Sequence, residues 1–319
     1  MKRSFLLLIP VLLSILIFFL LNLVLGTISI PIHAIWNILW GIGEEPVVWE
    51  NIIWKSRFPQ TLTALVAGAG LSISGLQMQT VFRNPLAGPS ELGISSGASL
   101  GVAFIILLSG TIGSTALSKL GFFGEVAISV AAITGAMLVM AIIIAISRKV
   151  RGNVILLIIG VMIGYIATAI IGVLKFFSND EDVRAYVIWG LGSFSKVSGN
   201  QVYTFVGIMF LLIPLSFLLI KTLNLMLLGE SYARNLGLNI RQARLSVISC
   251  SCILTAIITA YCGPIVFLGL AVPHLCRIYF LHKSSGFSTL FGDDHRWLDP
   301  FEKSGFILFS VIINDPFRR

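Results

Sequence analysis

Residues 68–101 read GAGLSISGLQMQTVFRNPLAGPSELGISSGASLG, and the reading of this stretch decides the fold. Two apolar segments of membrane length meet here at a short polar turn whose only charges are Arg83 and Glu91. Seven glycines line the stretch, with serines and alanines between them. Helices associating within lipid gain little from the hydrophobic effect, so small residues are used where backbones must approach closely. The stretch is therefore expected at a packed centre and not at a lipid-facing edge. In Arg83-Asn84-Pro85-Leu86-Ala87-Gly88-Pro89 each proline disfavours the α conformation of the residue before it and brings no N–H, which ends the incoming helix. A second helix is expected after Pro89, with Ser90 as its N-cap and Glu91 in the positively polarised first turn.

Composition points the same way. Of 319 residues 56% are hydrophobic and 11% charged, where soluble domains carry about a quarter charged residues. The expectation is an all-α, polytopic membrane bundle. A net charge of +8 raises the question of nucleic acid, but the basic residues are scattered at the ends of apolar runs, which is a topology signal and not a nucleic-acid footprint. Cys250, Cys252, Cys262 and Cys276 all fall in or beside apolar segments and form neither a disulfide framework nor a CxxC pair.

Spans are expected at about 5–26, 61–81, 92–108, 126–146, 153–174, 202–220, 245–261, 264–280 and, short, 301–313. Residues 27–56 are mixed and read as interfacial helical pieces. Alternating the loops places the larger share of Lys and Arg inside, with Lys2, Arg3, Arg83, Arg148, Lys149, Arg241 and Arg244 among them, and puts the N-terminus in the cytoplasm. Residues 223–243 are too charged to span. Gly229 and Gly237 bracket a short amphipathic helix there, with Leu228, Ala233 and Leu236 expected on one side and Glu230, Arg234 and Arg241 in water. In the run 263–277, Pro273 is expected to kink a helix and free a carbonyl that His274 and Arg277, three apart, could satisfy.

Three blocks carry a resemblance. Gly75, Gln77, Arg83-Asn84-Pro85-Leu86-Ala87, Pro89, Leu92-Gly93, Gly97-Ala98 and Gly101 resemble the signature of the FecCD-type permeases of ABC importers for iron siderophores, haem and vitamin B12. Gly229-Glu230-x-x-Ala233-x-x-Leu236-Gly237 resembles the helix by which such permeases couple to their ATPase. The run Gly263 to Arg277, with Gly269, Pro273 and His274, and the later Asp294-His295-Arg296 resemble further family elements, as does Trp189-x-x-Gly192-Ser193. The resemblance covers about 57–299. It implies a type II ABC importer transmembrane subunit of ten helices, a single permease domain over 1–319 with the coupling region at 223–243, no cofactor, and no enzymatic activity of its own. It implies as partners two ATP-binding subunits, a second permease copy or paralogue, an extracytoplasmic substrate-binding protein and the bilayer of the cytoplasmic (inner) membrane.

Departures from the family pattern are Gln60 and Leu268, the extra loop His282-Lys283-Ser284-Ser285-Gly286, and an end at Arg319 with about nine spans readable. The C-terminus is expected to be truncated, frameshifted or variant. No P-loop, nucleophile elbow or GxGxxG after a strand is present, so ATP hydrolysis is expected in a separate subunit. Two other readings stand beside this one. An ion-coupled carrier is disfavoured by the lack of charges within the expected spans, and a metal site on His274, His282 and His295 with Asp293 or Asp294 lacks ligand spacing.

Overall fold

Long apolar runs of strong helix formers, broken by Gly-Pro turns, fold as helices throughout. The structure, a computed structural model, describes residues 2–42, 45–108, 122–147, 149–150 and 153–276, and no strand occurs among them. Five helical stretches among the described residues are long and apolar enough to cross a membrane: Val47–Phe82, Gly124–Ser147, Val154–Phe176, Asn200–Phe217 and Ile240–Cys262. The expected ninth span, at 301–313, lies outside the described residues.

By its contacts the chain divides into two units: residues 2–72, Phe194–Leu211 and 271–276 in one, Ile73–Ser193 and Leu212–Leu270 in the other. The first begins with α1 (Lys2–Val24), then α2 (Ile32–Trp40) and α3 (Val47–Ile52), the helical pieces expected between the first two spans. Ala34, Ile35 and Ile38 of α2 bury against Ile30 and Ile53, while Trp36 and Trp40 on its other face are exposed. One wide π turn, Ile53–Arg57, carries α3 into α4 (Phe58–Phe82). Arg57 on that turn is 6% exposed. It donates to the carbonyls of Leu23 (2.7 Å) and Val24 (3.0 Å), and also to that of Ile28. The carbonyls at the end of α1 have no partner inside their own helix, and a guanidinium fork is well shaped to serve several at once.

The second unit is built around α5 (Ile94–Leu108), which packs against α6 (Phe122–Ser147), α7 (Asn153–Phe176), α8 (Asp180–Gly190) and α12 (Ile240–Cys262). Gly97 and Gly101 of α5 lie so close to Gly135 and to the Ala131 carbonyl of α6 that a side chain on either would collide. This is the close approach that the small residues announced. α8 lies in the polar stretch 175–200; burial pushes the Tyr186 phenol up in pKa, against a hydrogen bond with Ser99 that pulls it down. The sixth expected span, drawn to Ile220, stops earlier: α9 (Asn200–Phe217) carries Pro214 inside, and α10 (Ile220–Leu227) follows after a break. Proline in a helix removes an i→i−4 bond and bends it. α11 (Glu230–Asn235) leads on to α12, which starts five residues before the expected span because the Asn239 side chain caps it, accepting from Gln242 N at 3.2 Å.

Candidate coupling site

Far apart in sequence, the three blocks meet at the C-terminal half of α4 and the turn that follows. α4 ends in a Schellman arrangement: Asn84 N donates to Gln79 O (3.2 Å) and Arg83 N to Thr80 O (3.4 Å), with Arg83 left-handed at φ +49°. Asn84 Oδ1 then accepts from Leu86 N at 3.0 Å and its carbonyl from Ala87 N at 3.1 Å, while Ala87 is buried and Leu86 exposed. The helix does not restart at once as the sequence led one to expect. A single 3-10 turn, Ser90–Leu92, comes first, Ser90 caps nothing, and Gly93 at φ +75° turns the chain into α5 at Ile94. Gly93 is required there, since a Cβ would stand 2.9 Å from the Gly160 carbonyl oxygen of α7. Burial pushes the Glu91 carboxyl above its usual range, against an opposing pull from backbone hydrogen bonds at Glu91 and Gly88.

The second block forms a knob. Gly229 (φ +117°) opens α11 and Gly237 (φ +87°) follows it, in the C′ position expected of it. Of the three residues expected on the inner side only Ala233 is buried; Leu228 and Leu236 are exposed, at 41% and 56%, as is Tyr232. One turn and a half of helix has room for a single inward position, which is why the amphipathic pattern overcounts. Arg234 and Arg241 are exposed as expected, but Glu230 is not simply in water. It accepts from Arg244 Nη2 of α12 at 3.0 Å, and the Arg244 side chain is only 10% exposed.

The third block docks on α4. The Gly269 carbonyl loses its helical donor because residue 273 is a proline. It faces Gly75, where a Cβ would stand 1.7 Å from the Gly269 oxygen. Of the partners expected for a freed carbonyl, His274 is exposed, and Arg277 lies outside the described residues, as do His282 and 293–296. Pro273 is buried. Beside Gly75, Gln79 Nε2 donates to Leu270 O (3.3 Å), and Gln77 Nε2 to Cys250 Sγ (3.7 Å). Ser74 Oγ donates to Ser251 O at 3.0 Å and shares hydrogen bonds with the hydroxyls of Ser251 and Thr255, fastening α4 to α12. The Trp189 to Ser193 element also joins this block, Ser193 N donating to Cys262 O at 2.7 Å.

The sequence did not single out Arg244 or Met226 as parts of this site. Arg83 Nη2 donates to Met226 O at 3.1 Å, and the available signal was an arginine at the position after a helix where glycine is usual. Among the described residues no group of three or more His, Cys, Asp or Glu side chains is placed to hold a metal.

The sequence model described as the FecCD transport family matches residues 13–292. The chain is similar to the hemin transport system permease protein HmuU of Yersinia pestis, 34% identical over 86% of this chain and 76% of that one. It is similar to a probable iron chelatin transport system permease protein of Helicobacter pylori, 36% identical over 75% of this chain and 69% of that one. The vitamin B12 import system permease protein BtuC of Citrobacter koseri is 34% identical over 79% of this chain and 70% of its own. A solved structure described as an inward-facing conformation of a metal-chelate type ABC transporter superposes with a TM-score of 0.74 at 26% identity, covering 96% of this chain and 88% of that one.

Proposed function

The chain belongs to the FecCD transport family and is the membrane-spanning permease of an ABC importer; from that premise we propose that its cargo is a haem, a ferric chelate or a cobalamin. The single observation that carries the cargo reading is the agreement among relatives named for hemin, iron chelatin and vitamin B12 transport. The chain acts as one permease domain in the cytoplasmic membrane, with its N-terminus and the α11 knob on the cytoplasmic side. It pairs with a second copy or a paralogue, takes cargo from an extracytoplasmic binding protein, and is driven by two ATP-binding subunits that hydrolyse ATP.

In this reading residues 223–243 form the coupling region. Ala233 seats α11 on the body of the permease, Gly229 and Gly237 let the chain enter and leave the knob, and Tyr232 and Leu236 present an exposed apolar surface to the motor subunit. Glu230 holds the knob in place through Arg244. Closure of the ATP-binding subunits moves the knob, and the permease alternates the side to which its pathway opens. The ion-coupled carrier finds no counterpart among the relatives named above.

The test is reconstitution with candidate ATP-binding subunits in vesicles, with haemin, cyanocobalamin and a ferric hydroxamate offered in turn. Uptake of one of them is expected to require ATP and to survive collapse of the proton gradient. Leu236→Glu is expected to strip the ATP-binding subunits from the purified complex. Uptake that follows the proton gradient without ATP would sink the proposal.

A further inference from the structure

Arg83 occupies a costly position. It is the C′ residue of α4, left-handed at φ +49°, where a side chain crowds the backbone and glycine is free of that penalty. A non-glycine residue held there calls for a reason in its side chain. Its backbone turn would form as well, or better, with glycine. The side chain is where the reason lies: Nη2 donates to the carbonyl of Met226, near the end of α10, at 3.1 Å. That carbonyl is among the last of α10, at the negative end of its dipole, and it also accepts from Gly229 N at 3.3 Å. The same nitrogen lies 3.9 Å from where a Cβ would stand on Gly229, so the guanidinium sits at the joint between α10 and α11.

We propose that Arg83 is a positioning residue that couples the α11 knob to α4, delivering displacement of the knob to the helix at the centre of the packed blocks. The inference rests on the reading of α11 as the dock for the motor. Two tethers hold the knob: the Glu230–Arg244 ion pair fastens it to α12, and Arg83 fastens its entry to α4. The receiving part of α4 is stiffly held in turn, by Ser74 on α12 and by Gly75 and Gln79 on residues 269–270. Movement of α11 therefore has a direct path into α4. Without the Arg83 side chain this bond between the 83–89 turn and the end of α10 is lost, and the Glu230–Arg244 pair remains.

The discriminating variant is Arg83→Gly, because it suits the left-handed backbone and removes only the side chain. It is examined in the complete reconstituted complex, with whichever of haemin, cyanocobalamin and a ferric hydroxamate the wild type carries. Arg83→Gly is expected to melt no lower than wild type and to retain its ATP-binding subunits. Cargo moved per ATP hydrolysed is expected to fall about tenfold, an ordinary size for coupling between sites. Arg83→Lys, which keeps a cationic donor, should recover most of that ratio. An unchanged ratio in Arg83→Gly overturns the proposal. So does a fall matched by loss of ATP-binding subunits, or by a lower melting temperature, since either makes Arg83 a support of the fold. Leu236→Glu is the separate control: if that variant keeps its ATP-binding subunits, the dock is elsewhere, and this inference falls with it for a different reason.

Discussion

Replacing Gly75 by alanine tests the contact on which the meeting of the first and third blocks depends. The new Cβ would stand 1.7 Å from the Gly269 oxygen, 2.5 Å from its carbonyl carbon and 2.8 Å from its Cα. Ordinary contact begins at 3.4 Å, so the backbones must separate by about 1.7 Å, the difference between 3.4 and 1.7. No flexible side chain is present to yield, because both surfaces are main chain. One turn further along α4, the Gln79 Nε2 to Leu270 O bond is already 3.3 Å long and does not survive such a shift. Ser74, one residue before, is tied to α12 and limits retreat on the near side. Overpacking of about 1–3 kcal/mol and a lost hydrogen bond of about 1 kcal/mol together give a destabilisation of about 2–4 kcal/mol. In detergent this is a fall in melting temperature on the order of 5 °C, read by thermal aggregation followed on a sizing column. Gly172→Ala is the matched control. Gly172 lies within α7 with nothing within 4 Å of its added Cβ, so that variant is expected to melt at or slightly above the wild-type temperature. A Gly75→Ala protein that melts with the control would refute the reasoning.

Other perturbations follow from the same geometry. Glu230→Gln leaves Arg244 buried without its charged partner and is expected to cost about 1–2 kcal/mol, moderated because Glu230 is a third exposed; a double-mutant cycle with Arg244→Met should recover most of the loss, measured by thermal unfolding. Since the Glu91 carboxyl is raised above its ordinary 4.5, its favourable contribution is whole below that pH and is lost as pH rises through the folded-state value. Glu91→Gln should therefore melt higher than wild type at neutral pH, with the gain vanishing in acid below about 4.5; a gain that grows in acid would contradict the sign. Arg57→Leu strands three carbonyls at the end of α1 and after it, and is expected to destabilise the first unit by about 3 kcal/mol, seen as faster proteolysis between residues 25 and 57.

Much of the architecture was legible because its causes are local. Apolar run length located the long helices, the glycine pair at Gly229 and Gly237 bracketed α11 correctly, and the glycines of 93–101 announced a close crossing that Gly97 and Gly101 make with α6. The restart after Pro89 was misjudged because the sequence offers Ser90 as a good cap, while the packing of Gly93 on Gly160 decides where α5 begins. The start of α12 was misplaced because Arg241 and Arg244 look like loop charges; Arg244 is instead drawn into the bundle by a carboxylate 14 residues earlier. Whether Leu228 and Leu236 face inward was beyond periodicity, since six helical residues do not fill two faces. Contacts between carbonyls and glycines, such as Gly269 on Gly75, leave no mark in a sequence beyond the glycines themselves.

The hydroxyl cluster of Ser74, Ser251 and Thr255 has a mechanical meaning. Its bonds across the two helices are made in this register, and sliding α4 along α12 by a single turn would break those of Ser74 and Ser251 in an apolar medium, while Thr255 keeps its bond to the Ser251 carbonyl. The two rods are thus spliced, and a covalent cross-link laid across the splice should be silent in transport. Bending during a transport cycle is then expected outside them, at the Leu218–Leu219 break, Gly229, and the left-handed Phe267.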